Sequence, residues 1–331
     1  MSARPDPLVD RFGRVHTDLR LSLTDPCNLR CSYCMLAEGL AWLPRAKLLT
    51  DDEIVRVVEI AAHRLGITTV RLTGGEPLLR PGLPGLIARL SAVDPTLELS
   101  ITTNGIGLAR TATALREAGL RRVNVSLDTL SRDRYAEITR RDRIRDVLAG
   151  LQAARAAGLD PVKINTVPVR GVNDDEIPDL AGFAVEHGYR LRFIESMPLD
   201  AQRAWERDRM ISAEEILSGL RERYELEPIG REDKAPAEEW RIVGTDALVG
   251  IIASVTRAFC GSCDRVRLTA DGQLRNCLFA TNESDLRGLL RAGDDAVEAA
   301  WRAWIVGKGP GHAINSAGFH QPARPMSAIG G

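Results

Sequence analysis

Six cysteines fall into two triplets, Cys27, Cys31 and Cys34, then Cys260, Cys263 and Cys277, with none between Cys34 and Cys260. Incidental thiols would rarely divide this way, and two separate thiolate sites are the natural reading. The first triplet, C-x3-C-x2-C, can ligate one metal centre but cannot close a four-thiolate shell. An ordinary [4Fe–4S] cluster has four cysteine ligands, and structural zinc also has four ligands. Three thiolates therefore leave an open coordination position, which is where chemistry takes place. The alternatives are a zinc site completed by His16 or a distant cysteine, and three incidental thiols. The second triplet, C-x2-C-x13-C, is the weaker signal alone, because a zinc hairpin completed by a fourth ligand would serve. Arg265 and Arg267 lie between its members. Period two puts both on one face of a strand, where forked, charge-assisted bonds could hold a phosphate; a solvated edge is the alternative. Arg20, Arg71, Lys163 and Arg192 also sit in strand-like runs. Inward cations in strands are costly without an anion. Several at one mouth suit a polyphosphate, and separate salt bridges are the bland reading of each.

These residues need elements to position them. Strands are expected at Leu19–Thr24, Thr69–Thr73, Glu98–Thr102, Arg122–Leu127, Val162–Val169 and Leu191–Ile194, each rich in Val, Ile or Leu and ended by turn residues. Helical spacing of apolar residues marks Asp51–Leu65, Gly85–Ala92, Ala109–Ala118 and Ile144–Ala157. Thr50 with Glu53 reads as a capping box, and Gly66, Gly119 and Gly158 sit at expected helix ends. Repeated β-then-α units imply parallel strands with right-handed crossovers. About six units fall short of a closed eightfold barrel, so an incomplete (β/α)6 TIM-like barrel is expected, with an open doubly wound sheet as the alternative. Beyond Glu195 the pattern changes: a loop at Pro198–Met210, a helix at Ser212–Tyr224 and a charged connector at Pro228–Glu239. Trp240–Leu278 reads as short, mainly antiparallel strands with a hairpin turn at Asp271-Gly272, and a helix follows near Asp294–Val306. The expected division is a barrel at 1–228 and a β extension at 229–331. The tail from Gly307 to Gly331 has no clear period.

Composition bounds the rest. The chain has 331 residues, with 44% apolar and 27% charged residues, as in an α/β globular protein with a substantial core. Forty-four Lys plus Arg against 45 Asp plus Glu leave a net charge of -1, so no overall basic field speaks for nucleic acid. No run approaches a membrane span. The first ten residues lack a signal-peptide core. A cytoplasmic setting, with reduced thiols and neither nucleic acid nor membrane as partner, is the expectation.

Motifs at strand ends narrow the reading. Thr73-Gly74-Gly75-Glu76-Pro77 ends the second strand, Thr102-Thr103-Asn104-Gly105 the third and Ser126 the fourth. Any one alone would be an ordinary turn former. With Cys27-Asn28-Leu29-Arg30-Cys31-Ser32-Tyr33-Cys34, they resemble the radical S-adenosylmethionine (SAM) superfamily. Asp18-Leu19-Arg20-Leu21-Ser22, Arg71 through Pro77, Arg122 through Asp128, Arg192 through Pro198, the second triplet with Arg265-Val266-Arg267, and the terminal Ile329-Gly330-Gly331 carry the likeness further. Over nearly the whole chain they resemble the GTP 3′,8-cyclase family of molybdenum cofactor biosynthesis, the MoaA family.

The resemblance implies two [4Fe–4S] clusters and SAM as cofactors. Cys27, Cys31 and Cys34 would hold the SAM cluster, and Cys260, Cys263 and Cys277 a second one that binds the guanine. Tyr33, Gly75, Ser126 and Met197 would contact SAM, although a Met is most often core filler. Arg20, Arg71, Thr102, Lys163, Arg265 and Arg267 would contact GTP, with Arg192 nearby. Arg265, Arg267, Gly330 and Gly331 would serve the reaction itself. Thr69 departs from the family, which often carries a basic residue there. The implied partners are GTP, a reductant such as a flavodoxin or ferredoxin, and cyclic pyranopterin monophosphate synthase as the next enzyme, with a homodimer left open. Three other readings stand beside this one. They are a peptide-modifying radical SAM enzyme with an auxiliary cluster, a non-catalytic iron–sulfur electron carrier, and a zinc-dependent nucleic-acid binder.

Overall fold

The computed structural model describes residues 5–330. Its frame is six parallel strands: β1 (Asp18–Ser22), β2 (Thr69–Thr73), β3 (Glu98–Thr103), β4 (Arg122–Ser126), β5 (Val162–Thr166) and β6 (Arg190–Ile194). Each pairs with the next in chain order. The helices between them are α1 (Asp51–Leu65), α2 (Leu83–Val93), α3 (Leu108–Glu117), α4 (Arg132–Thr139), α5 (Ile144–Ala156) and α6 (Ile177–His187). In α1 the capping box of Thr50 and Glu53 forms, Gly66 ends the helix in the left-handed region, and Ile54, Val57, Val58, Ala61 and Leu65 make the buried stripe. Such a stripe at helical spacing is what docks a crossover helix on a sheet. The intervening strand residues Leu19, Leu21, Val70, Leu72, Leu99, Ile101, Val123 and Val125 are fully buried.

Two expectations change, and one helix is added. No element was expected at α4, of whose eight residues only Tyr135, Ile138 and Thr139 are buried. The connector expected at Pro228–Glu239 instead contains β7 (Leu226–Arg231) and the start of β8 (Glu238–Ile242), which pair antiparallel at the sheet edge. Trp240–Leu278 is not purely antiparallel. After α7 (Ala213–Arg221), β9 (Leu248–Ile252) runs parallel to β6, and β10 (Arg265–Leu268) runs parallel to β1. The free edges of β1 and β6 can pair with a strand of either direction, and which one arrives follows from the path of the chain and not from local sequence. The antiparallel strands lie outside these: β8 and β7 beyond β9, then β11 (Gln273–Arg275) and β12 (Ser284–Asp285) beyond β10. The twelve strands make one sheet, in the order β12-β11-β10-β1-β2-β3-β4-β5-β6-β9-β8-β7. Gly272 takes the hairpin turn between β10 and β11.

α8 (Asp294–Val306) leads into a tail that is ordered by specific ties. Met326 N–H donates to the Leu199 carbonyl at 3.2 Å. The Arg324 guanidinium grips both oxygens of Asp271 at 3.0 and 2.9 Å and reaches Glu283 at 2.9 Å. Ile314 and Ile329 of the tail join Leu199, Met210, Val255 and Phe279 in a second, smaller core. The tail thereby packs beside the mouth of the parallel strands. No described helix is long and apolar enough to cross a membrane.

Candidate active site

A cavity of about 340 Å³ opens at the carboxyl ends of the parallel strands, and all six cysteines line it. The first triplet follows β1, and the GGEP turn after β2 is zipped to it. Leu23 N–H donates to the Thr73 carbonyl, Gly75 N–H to that of Thr24 and Glu76 N–H to that of Pro26, at 2.8 to 3.0 Å. A Cβ on Gly74, whose φ is +129°, would collide with the Thr24 carbonyl, and one on Gly75 with the carbonyls of Asp25 and Pro26. The glycines are thus required by the approach of two loops to each other, besides any approach to a ligand. Glu76 finishes the joint. Its carboxylate accepts from Thr103 Oγ1 at 2.6 Å, Asn104 N–H at 2.7 Å and Leu78 N–H at 3.0 Å. Burial still pushes it up to about 7.

The first thiolates have dry surroundings and almost no cation. Burial raises Cys27, carries Cys31 well above the ordinary thiol range and lifts Cys34 to about 12, with mutual repulsion adding to the last two. The neutral donors Leu29 N–H and Asn104 Nδ2 approach Cys27 Sγ at 3.5 and 3.7 Å. Tyr33, between two of the cysteines, lines the cavity, and its hydroxyl donates to Asp128 Oδ2 at 2.6 Å. Asp128 is pushed up to about 6 by burial. Gly75, Ser126 and Met197 line the same cavity.

The second triplet lines the same cavity; burial raises Cys260 there too, but Cys263 departs from that pattern. Burial pushes Cys263 up, but Arg265 and Lys308 outweigh it and bring the thiol down to about 7. Arg265 and Arg267 share the inner face of β10 while Val266 is buried behind them. Register then builds a row: Arg267 on β10 lies opposite Arg20 on β1, and Arg20 opposite Arg71 on β2. Like charges side by side on adjacent strands repel. Burial lowers Arg71 well below its ordinary range, with Arg20 adding to the shift, and brings Arg267 to about 9, with Arg20 and Arg265 adding. Among the described residues, compensation is thin: Asp18 pairs with Arg20 at 2.8 Å, and Glu239 stands 4.0 Å from Arg192. A cavity with this excess of buried cations is built for a polyanion. Thr102 and Arg192 complete the expected lining.

Not every expected residue is on the surface of the cavity. Lys163 is buried on β5 and outside the lining, brought down to about 7 by burial, with Arg192 and Arg122 next in effect. Thr69 lies opposite Asp18, so a basic residue there would compete with Arg20 for that carboxylate. Gly330 reaches between β1 and β2: its carbonyl accepts from Arg267, and a Cβ on it would collide with Ser22 Oγ and Thr73 Oγ1. With φ at +70° it has two reasons to be glycine. Gly331 lies outside the described residues.

Sequence reasoning missed Asn104 and Asp128 as partners of the first triplet and Lys308 as a partner of the second. The first two were visible within motifs but had no assigned role. Lys308 carried no signal, because a lone lysine in a glycine-rich tail reads as solvated. His16 does not complete the first triplet. Its Nε2 faces Asp10 Oδ2 at 3.1 Å and its Nδ1 faces Lys308 Nζ at 3.4 Å, so both ring nitrogens are engaged beside the second triplet.

The donor sets fit iron–sulfur clusters. Each triplet offers three thiolates, soft donors of the kind such clusters take, with N–H groups directed at sulfur. Thr73 Oγ1, Asn165 Oδ1 and Ser327 Oγ are buried at the cavity without a partner, as expected of a wall that meets a polar ligand. Among the described residues, no three His, Cys, Asp or Glu side chains are grouped as ligands of a single ion.

Fold and first cysteine loop together define a radical SAM protein, and comparisons agree. Residues 21–184 match the radical SAM superfamily, and residues 189–314 match Molybdenum Cofactor Synthesis C. The structure of Streptococcus suis SuiB bound to S-adenosylmethionine superposes with a TM-score of 0.64 at 13% identity, over 95% of this chain and 77% of that one, a likeness of fold. The GTP 3′,8-cyclase of Streptomyces coelicolor is 60% identical over 328 residues, 98% of this chain and 96% of the relative. That of Mycolicibacterium smegmatis is 56% identical over 334 residues, 98% of this chain and 92% of the relative. The chain belongs to the GTP 3′,8-cyclase family.

Proposed function

We propose that this enzyme cyclises GTP to 3′,8-cyclo-7,8-dihydro-GTP, the first step of molybdenum cofactor biosynthesis. One observation carries the reading: both cysteine triplets and five arginines line a single cavity. Cys27, Cys31 and Cys34 would hold a [4Fe–4S] cluster, and Cys260, Cys263 and Cys277 a second. With SAM bound, the first supplies a 5′-deoxyadenosyl radical that takes hydrogen from C3′ of GTP. The C3′ carbon then closes on C8 of the guanine, and one electron and one proton complete the product.

The chain's own residues do the positioning. Arg20, Arg71 and Arg267 in register, with Arg265 and Arg192, hold the triphosphate. Thr102 lies on the same wall, and Lys163 adds charge from behind it. The guanine goes to the second triplet, and the ribose is held between the two anchors. Tyr33, Gly75, Ser126 and Met197 line the SAM side. Such fixing favours intramolecular closure over stray radical reactions. Gly330 brings its backbone carbonyl to Arg267 where a side chain would not fit. The sheet curls as an incomplete (β/α)6 barrel at 1–228, and 229–331 supplies the second cluster. Electrons come from a flavodoxin or ferredoxin, and the product passes to cyclic pyranopterin monophosphate synthase.

The test is anaerobic incubation of the reconstituted protein with SAM, a strong reductant and GTP, read by mass spectrometry. GTP-dependent 5′-deoxyadenosine together with a product isomeric with GTP is expected, and ATP should remain unchanged. With both clusters verified, 5′-deoxyadenosine formed equally with and without GTP would overturn the substrate.

A further inference from the structure

An enclosed polar network outside the expected site residues lies behind the second triplet. Lys308 is 3% exposed, and Asp10, Arg14 and His16 beside it are also buried. The Lys308 ammonium donates to the Arg265 carbonyl at 2.7 Å and approaches the Cys263 carbonyl at 3.4 Å and Cys263 Sγ at 3.5 Å. His16 Nδ1 stands 3.4 Å away on the other side. The protons on this chain are fixed by chemistry. Asp10 as a carboxylate only accepts and Lys308 only donates, so His16 donates from Nε2 to Asp10 and accepts at Nδ1. The short ribbon of Leu8–Val9 and Val15–His16 is what carries the carboxylate and the imidazole there. Arg14 ties that ribbon to the cluster loop and the tail, donating to the Cys260 carbonyl at 2.7 Å and the Gly309 carbonyl at 2.7 Å. A lysine held by this many acceptors cannot swing away from the sulfur.

We propose that Lys308 is a positioning residue of the second cluster, whose fixed ammonium, oriented by the Asp10–His16 pair, directs an N–H at the Cys263 sulfur and raises that cluster's reduction potential. The proposal rests on the reading that Cys260, Cys263 and Cys277 hold a [4Fe–4S] cluster. Potentials of such clusters follow the hydrogen bonds to their sulfurs and the local charge. A reduced cluster carries one more negative charge than the oxidised one, so a cation at this distance favours the reduced form. The first triplet is met by a neutral amide instead. The network therefore separates the potentials of two clusters that share one cavity.

The test is a redox titration of both clusters in the full-length reconstituted protein, followed by electron paramagnetic resonance. Lys308→Met should lower the second cluster's midpoint potential by about 59 mV or more, a tenfold change in the reduced-to-oxidised ratio. The first cluster's potential and the iron content should hold. His16→Phe, which removes the acceptor and touches no cysteine, should move the second potential in the same direction by less. An unchanged second potential in Lys308→Met overturns the proposal. If that variant fails to assemble its second cluster, His16→Phe decides: a fall supports the role and an unchanged potential overturns it. A wild-type protein holding only one cluster would instead defeat the underlying reading, and its iron content shows this first.

Discussion

The two cysteine triplets line one cavity and differ in the charges around them. At the first, burial dominates, Glu76 and Asp128 add to it, Arg30 opposes it only at Cys27, and the thiols are pushed up. At the second, Arg265 and Lys308 reverse the effect of burial on Cys263. A cluster in dry, anionic surroundings is hard to reduce and, once reduced, is a strong donor, which cleavage of a sulfonium requires. A cluster among cations gives up an electron less readily and attracts anionic or electron-rich ligands. The difference teaches that similar C-x2-C loops can be assigned to opposite tasks by second neighbours alone.

The most severe way to break the comparison is to remove a ligand from each side. Cys31→Ser should abolish 5′-deoxyadenosine formation, with or without GTP, to background. Cys277→Ser should abolish the cyclised product while slow, GTP-independent SAM cleavage survives. Equal loss of SAM cleavage in both variants would mean that the sites are not separable. Gly75→Ala is the next largest. Its Cβ would meet two backbone oxygens of the cysteine loop, and overpacking of this kind costs about 1–3 kcal/mol. Thermal unfolding should drop accordingly, and the iron lost should come from the first cluster.

Much of this asymmetry was legible in the sequence. Two triplets, the GGEP turn and the alternation of strands and helices gave the six parallel strands and both thiolate loops, because each is a local signal of spacing or period. What was not legible is relational. The row of Arg267, Arg20 and Arg71 exists only because β10 lands beside β1 in register, and no local pattern encodes which edge a late strand will take. Likewise Lys308 is far in sequence from Cys263, and Asn104 from Cys27, and each acts only through the fold. Helix α4 was hidden because its exposed face outweighs three buried residues.

The arginine row sharpens the comparison at intermediate scale. Arg267→Met removes a buried charge that would bond the substrate, and such bonds are worth about 1.5–3 kcal/mol. GTP affinity, measured by calorimetry with SAM present, should fall roughly 10- to 100-fold, while SAM affinity and GTP-independent cleavage stay near the wild-type values. Arg324→Ala acts on the same guanidinium at one remove, by freeing the tail from Asp271 and Glu283. At about 1 kcal/mol it should weaken GTP several-fold and expose the tail to protease.

The smallest net effect in the wild type is one of slope, because the two sides contribute with opposite signs. His16, behind the second triplet, is brought down to about 4 by burial, with the Lys308 charge next in effect, from an ordinary 6.5. Between those values the unfolded chain binds the proton and the folded chain does not, so stability rises with pH and is lost on acidification from about 6.5 to 4. Glu76, behind the first triplet, is pushed up by burial from 4.5 to about 7. There the folded chain holds the proton, so its contribution is full below 4.5 and is lost as pH rises through about 7. Each is of order 3 kcal/mol at most, and in the wild type they largely cancel between pH 4.5 and 6.5. Chemical denaturation across that range should therefore be nearly flat for these two groups. His16→Phe should make stability fall with rising pH, and Glu76→Gln should make it rise. Parallel slopes in the two variants would show that the two sides do not differ in the way the buried charges require.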